Sequence, residues 1–194
     1  MQDIILITGC MYSGKSKKLI EMIDSATQQN KRVACFKPSV DMRDKGVIKS
    51  RDYDKTFEAW VMGENGEVPT LPKGYLHTVD LVAVDETQFL DTKSIKWLLD
   101  IGRGYGIPVI FAGLNGDFKG QPFHSIEYLK QFKPVILQPK ANCFVCHRPE
   151  AMTSRRVVNN KVVLHGEQVL CGDTETYIAL CDECDTKILN ELED

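Results

Sequence analysis

Eight residues constrain this chain more than any others: Gly9-Cys10-Met11-Tyr12-Ser13-Gly14-Lys15-Ser16. They fit G-x-x-x-x-G-K-[ST], the pattern of a nucleotide phosphate loop, and they stand where that pattern has to stand. Residues 4–8 before them are a short apolar run that reads as a buried strand. After them Leu19, Ile20, Met22, Ile23 and Ala26 recur at three- and four-residue spacing, as on one face of a helix. Glycines permit a tight turn whose backbone N–H groups converge on phosphate oxygens, and the helix N-terminus adds the positive end of its dipole. Lys15 then meets the outer phosphates and Ser16 offers a hydroxyl to Mg²⁺. Four fixed positions coincide by chance on the order of once in a hundred chains of this length, before the strand and helix are demanded.

The rest of the first 139 residues continues the alternation. Short β-rich runs at 32–36, 81–84, 109–112 and 135–137 are separated by predicted helices at 92–102, with Asp91 as N-cap, and at 125–131. Strands alternating with helices imply a parallel sheet covered on both faces. The stretch 41–77 breaks the pattern: it is polar, carries one plausible strand at 56–60, and reads as a mobile surface excursion. The predicted organisation is an α/β phosphate-loop domain over 1–139 and a small zinc-binding domain over 140–194, the latter including a hairpin across 157–163 with an Asn-rich turn.

Seven cysteines are an odd count for a secreted disulfide framework. The start Met1-Gln2-Asp3 has no basic n-region and no small-residue cleavage site, so a cytoplasmic location is expected, where thiols stay reduced. No apolar run approaches the ~20 residues that cross a bilayer, so no membrane partner is expected. With 24 Lys and Arg against 27 Asp and Glu the net charge is −3, which argues against a nucleic-acid partner; the local pair Arg155-Arg156 does not change that.

Cys143-Phe144-Val145-Cys146 and Cys181-Asp182-Glu183-Cys184 each have the spacing of a turn that presents two thiolates to tetrahedral Zn²⁺. A redox dithiol would use one pair and leave the other idle. Four ligands close the coordination sphere, so the zinc is structural, and the 34 residues between the pairs must bulge from it. His147 and His165 are alternative ligands; Cys10, Cys35 and Cys171 read as ordinary thiols. Leu81-Val82-Ala83-Val84-Asp85-Glu86 is a strand ending in two acids. Asp85 suits the second Mg²⁺ anchor, held directly or through water, which leaves Glu86 as the base for a substrate hydroxyl, because a carboxylate committed to a cation is a poor base.

These motifs, in this order, resemble those of the zinc-containing cytosolic thymidine kinases of the cellular type. Gly-x-Met-aromatic-Ser-Gly-Lys-Ser, Asp85-Glu86-Thr87-Gln88-Phe89, Gly113-Leu114-Asn115-Gly116-Asp117-Phe118 with Pro122-Phe123, and the two cysteine pairs carry the likeness over essentially the whole chain. The resemblance implies transfer of the ATP γ-phosphoryl group, with Mg²⁺, to the 5′-hydroxyl of thymidine or deoxyuridine in pyrimidine salvage. It implies Glu86 as general base and ATP contacts from residues 9–16, Asp85, Glu86, Thr87 and Gln88. Nucleoside contacts follow from Met11, Asp41, Arg43, Phe89, Leu114, Phe118, Phe123, Gly172 and Tyr177, the last in a lasso loop that closes over the base. A homotetramer and feedback by thymidine triphosphate are further implications. Asn115 stands where the family usually has Asp, and Cys171 where the lasso usually has a small or aliphatic residue. Without the resemblance the apolar residues of this set would be assigned to core packing, and Asp41 and Arg43 to a solvated charge pair. Two other readings are a hydrolytic motor or switch, for which the chain has no second motor domain, and a zinc-dependent binding module with a vestigial phosphate loop, which intact Lys15, Ser16, Asp85 and Glu86 argue against.

Overall fold

Six parallel strands form the central sheet of the computed structural model, which describes residues 3–41, 46–50, 53–159, 161–168 and 176–193. β1 (Ile4–Gly9), β2 (Val33–Pro38), β5 (Trp60–Met62), β6 (Leu81–Val84), β7 (Val109–Leu114) and β8 (Val135–Leu137) lie in the order β5-β2-β6-β7-β1-β8. The four middle strands are continuous apolar runs because both sheet faces are covered. α2 (Thr92–Tyr105) and α3 (His124–Lys130) cover one face, where Phe36, Val84, Leu98, Phe111 and Ile126 are buried together. On the other, α1 (Lys15–Gln28) buries Leu19, Ile20 and Ile23 against Ile7, Ala83 and Ile110.

Asp91 caps α2 as its residue type predicts, its Oδ1 accepting the Ser94 N–H at 2.8 Å. The helix runs past the predicted end at 102 because the residue that turns left-handed and stops it is Gly106, at φ 67°, not Gly102.

The stretch 41–77 departs most from the sequence reading. Its described part contains three strands, not one. β3 (Val47–Ser50) and β4 (Tyr53–Glu58) form an antiparallel pair, and β5 joins the main sheet parallel to β2. The expected strand at 56–60 spans the break between β4 and β5 at Ala59. The hairpin packs on α1 with Ile48 1% exposed, and Asp24 of α1 accepts from Tyr53 Oη at 3.1 Å and Lys55 Nζ at 2.5 Å. Ile48 thereby joins the core on this face of the sheet beside α1.

Beyond Pro139, β9 (Thr153–Val158) is the middle strand of an antiparallel trio with β10 (Lys161–Val163) and β11 (Thr176–Leu180), followed by α4 (Asp182–Glu193). The β9–β10 pair is the predicted hairpin, with Lys161 opposite Val158 and Asn159 at φ 49°. The other half of its predicted Asn turn, Asn160, lies outside the described residues. The stretch between the cysteine pairs thus carries this three-stranded sheet.

Candidate active site and metal centre

The phosphate loop closes at the carboxyl end of β1 in the shape its glycines dictate. Gly14 takes φ 80°, and a Cβ on Gly9 would lie 2.7 Å from the Pro139 carbonyl oxygen and 2.8 Å from Ser13 Oγ. Lys15 donates from Nζ to the Cys10 carbonyl at 2.7 Å, folded over its own loop, and burial pushes its amine down against the pull of Glu86 and Asp85. Ser13 Oγ is buried and has no hydrogen-bond partner among the described residues.

β7 separates β6 from β1 in the sheet, yet the acid at the end of β6 reaches the loop: Ser16 Oγ donates to Asp85 Oδ1 at 3.3 Å. Burial, and then the neighbouring Glu86, push the Asp85 carboxyl up to about 7. A hydroxyl and a buried carboxylate at this spacing are oxygen donors of the kind Mg²⁺ takes, and a cation there would relieve the cost of ionising Asp85. The donor set therefore fits Mg²⁺.

Glu86 itself sits at φ 50° and ψ 38°, in the left-handed region that a non-glycine residue rarely enters. Its carboxylate accepts from Gln88 Nε2, while Gln88 Oε1 accepts the Leu114 N–H at 3.0 Å. That backbone donor fixes which way the Gln88 amide faces. Gly113 makes the approach possible, since a Cβ there would lie 3.0 Å from Gln88 Oε1. Thr87 and Gln88, expected among the nucleotide contacts, are buried.

The expected nucleoside residues fall into two groups. Phe89 and Phe123 meet edge to face, centroids 6.4 Å apart, and Leu114 packs in the same cluster as Phe123. Phe118 is 2% exposed, with one ring face under the Arg156 guanidinium, 3.7 Å from the ring centroid; Tyr177 Oη accepts from the same guanidinium. Met11 donates its N–H to Ser154 Oγ at 2.8 Å. Asp41 is not a solvated charge: its side chain is nearly buried and meets Lys37 Nζ at 2.8 Å, and Lys37 also donates to the Val47 carbonyl at 3.0 Å. Arg43, Cys171 and Gly172 lie outside the described residues.

The four paired cysteines converge. The sulfurs of Cys143, Cys146, Cys181 and Cys184 all lie within 4.8 Å of one another, and Cys146 and Cys181 are 3.7 Å apart. A tetrahedron with Zn–S arms of about 2.3 Å has edges near 3.8 Å, so the donor set fits zinc. The first pair sits on a turn closed by the His147 N–H on the Cys143 carbonyl; the second brackets the first turn of α4 and not a second knuckle. Burial opposes ionisation of Cys143, but backbone N–H groups of Cys146, Cys181 and Val145 outweigh it and bring the thiol to about 6. Burial and the three neighbouring sulfurs push Cys184 up to about 12. Four thiolates so close need a cation. Neither His147 nor His165 belongs to this group among the described residues.

The metal module and the phosphate loop are stitched together. Cys10 Sγ donates to the Ala151 carbonyl at 3.2 Å, Met11 to Ser154, and Asn115 Nδ2 to the Met152 carbonyl at 2.8 Å. This accounts for Asn at 115, where an ionised Asp would present only acceptors to a carbonyl.

Residues 2–185 match the sequence profile of a family described as "Thymidine kinase". The chain belongs to the thymidine kinase family. Its function is accordingly thymidine phosphorylation, which in this family serves pyrimidine salvage, and its enzyme class is phosphotransferase. A relative named thymidine kinase from Bacteroides fragilis (strain YCH46) is 32% identical over 189 residues, covering 97% of this chain and 89% of its own. One from Listeria innocua is 30% identical over 185 residues, 95% of this chain and 96% of its own, and one from Pyrobaculum aerophilum 29% over 178 residues, 92% and 95%. A solved structure titled as that of Bacteroides Pif1 bound to ssDNA superposes at TM-score 0.41 and 12% identity, over 71% of this chain and 38% of that one, too distant a likeness to argue from.

Four side chains at this site escaped the sequence reading in the roles they hold: the Gln88 amide on Glu86, Lys37 on Asp41, Arg156 on Phe118, and Asn115 on Met152. Of these, only Gln88 carries a sequence signal, the Asp-Glu-x-Gln spacing.

Proposed function

We propose that the enzyme transfers the γ-phosphoryl group of ATP to the 5′-hydroxyl of thymidine and, less well, of deoxyuridine, with Mg²⁺. The observation that carries the reading is the convergence of Lys15, Ser16, Asp85 and Glu86 at the carboxyl ends of β1 and β6, with Ser16 hydrogen-bonded to Asp85 and Glu86 held by Gln88. Lys15 exchanges the Cys10 carbonyl for phosphate oxygens. Ser16 and Asp85 hold Mg²⁺, which when bound neutralises charge on the transferring phosphates. Glu86 accepts the proton of the 5′-hydroxyl as the oxygen attacks phosphorus. Met11, Leu114, Phe118, Phe123 and Tyr177 line the base pocket with Phe89 nearby, Asp41 and Arg43 serve the sugar and phosphates, and Gly172 contributes main chain.

The 5-methyl group that separates thymidine from deoxyuridine is worth about 1 kcal/mol in an apolar pocket, so it grades the two substrates without excluding either. A cytoplasmic homotetramer inhibited by thymidine triphosphate belongs to the same proposal; none of the described helices is long and apolar enough to cross a membrane. The test is a phosphoryl-transfer assay across the natural deoxynucleosides. Turnover should be greatest with thymidine, lower with deoxyuridine and near background with purine nucleosides; equal rates with purines would overturn the pyrimidine reading.

A further inference from the structure

Arg155 and Arg156 are neighbours on β9 and both are buried, at 5% and 2% exposure, although a charged guanidinium is costly to take out of water. Arg155 is accounted for by stability. Its Nε and Nη2 each reach an Asp185 oxygen at 2.7 Å, and its Nη1 donates to the Phe118 carbonyl at 3.1 Å. Asp185 follows Cys184, so this ion pair fastens α4 and the cysteine cluster to β9.

Arg156 is placed differently. Its guanidinium carbon lies 3.7 Å from the centroid of the Phe118 ring and 5.7 Å from that of Tyr177. Nε and Nη2 both donate to Tyr177 Oη, at 3.3 and 3.1 Å, and Nη2 also donates to the Glu167 carbonyl at 3.1 Å. One planar group thus spans the two aromatic residues read above as walls of the base pocket. The face of Phe118 that it covers is closed to a base, so Phe118 acts on the pocket through Arg156, and the hydroxyl of Tyr177 is held where Arg156 puts it.

We propose that Arg156 is a positioning residue for the nucleoside base, fixing Tyr177 against the Phe118 wall and so setting nucleoside affinity. The inference rests on the reading that Phe118 and Tyr177 belong to the base pocket. Its chemistry requires a flat fork: lysine keeps the charge but cannot stack on Phe118 and donate in the same plane to Tyr177 and Glu167. A side chain that orders a pocket wall before the ligand arrives lowers the ordering cost of binding.

The test is steady-state kinetics and calorimetric nucleoside binding on the zinc-loaded full chain, comparing wild type, Arg156→Met, Arg156→Lys and Tyr177→Phe. Arg156→Met should raise the thymidine KM and Kd tenfold or more while kcat and the ATP KM stay within about twofold. Arg156→Lys should recover only a small part of that loss, and Tyr177→Phe should reproduce part of it with the arginine intact. Zinc content should match wild type in all four. The inference is overturned if Arg156→Met keeps the wild-type thymidine KM, or if thymidine KM, ATP KM and zinc content all deteriorate together, as for a residue that only supports the fold. Should Arg156→Met fail to fold, an unchanged thymidine KM in both Arg156→Lys and Tyr177→Phe overturns it equally. Wild type without thymidine turnover would instead overturn the substrate reading, and this inference with it.

Discussion

Glu86 is held in a left-handed backbone conformation that costs on the order of 1–3 kcal/mol in a non-glycine residue, and such strain persists only where the surroundings impose it. Here the surroundings are Gln88, the Leu114 N–H and the bare Cα of Gly113. If Glu86 takes the proton, Glu86→Gln should cut kcat by several hundredfold or more and leave ATP binding nearly intact, and Gln88→Ala should cut kcat about tenfold to a hundredfold with little change in either KM. Stopped-time assays against both substrates measure the split. Asp85 makes a separate prediction. Its carboxyl value is raised on folding, so the protonated form is the one the fold favours. Stability is then highest at low pH and is lost as pH rises from about 4 through 7. Asp85→Asn should therefore melt above wild type at pH 8 without added metal, by at most about 4 kcal/mol, with the gap closing toward pH 4. Thermal melts across that range check it; a constant gap would mean that Asp85 is not the group responsible.

At the scale of elements, the β3–β4 hairpin decides whether 41–77 is decoration or framework. Ile48→Ala should destabilise the protein by about 2–5 kcal/mol in chemical denaturation, as for any fully buried aliphatic side chain, whereas a surface excursion would lose under 0.5 kcal/mol. The reason the hairpin was not legible is specific. Its inward residues, the buried Ile48 and the partly buried Tyr53 and Phe57, show no regular alternation and lie across a register shift, and the partner they pack on is α1, far away in sequence. The apolar runs of β1, β6 and β7 were legible because they are buried on both faces and need no alternation. For the same reason the phosphate loop and the two cysteine pairs could be read directly, since local spacing carries the chemistry there. Lys37, Arg156 and Asn115 could not, because each finds its meaning in a partner on another element: Lys37 in the Val47 carbonyl as well as Asp41, Arg156 in Phe118, Asn115 in Met152.

On the scale of the whole molecule, the module that carries the four-cysteine cluster is a buttress of the phosphate loop as much as a neighbour of it. Cys10, Met11 and Asn115 all bond to residues 151–154, and those residues are ordered by the sheet that leads into Cys181. Removing the metal with a strong chelator should lower the melting temperature by roughly 10 °C or more and weaken nucleotide binding with it, because the binding energy of a structural zinc is folding energy. Nucleotide affinity that survived complete zinc loss would separate the two modules. The central claim is that these parts together move a phosphoryl group to thymidine and do not simply hydrolyse ATP. The direct measurement is ADP release by the zinc-loaded enzyme with Mg·ATP, with and without thymidine, alongside thymidine monophosphate formed. ADP release should depend on thymidine and match the monophosphate one for one; ADP released equally fast without any nucleoside would mean that the enzyme is a hydrolase.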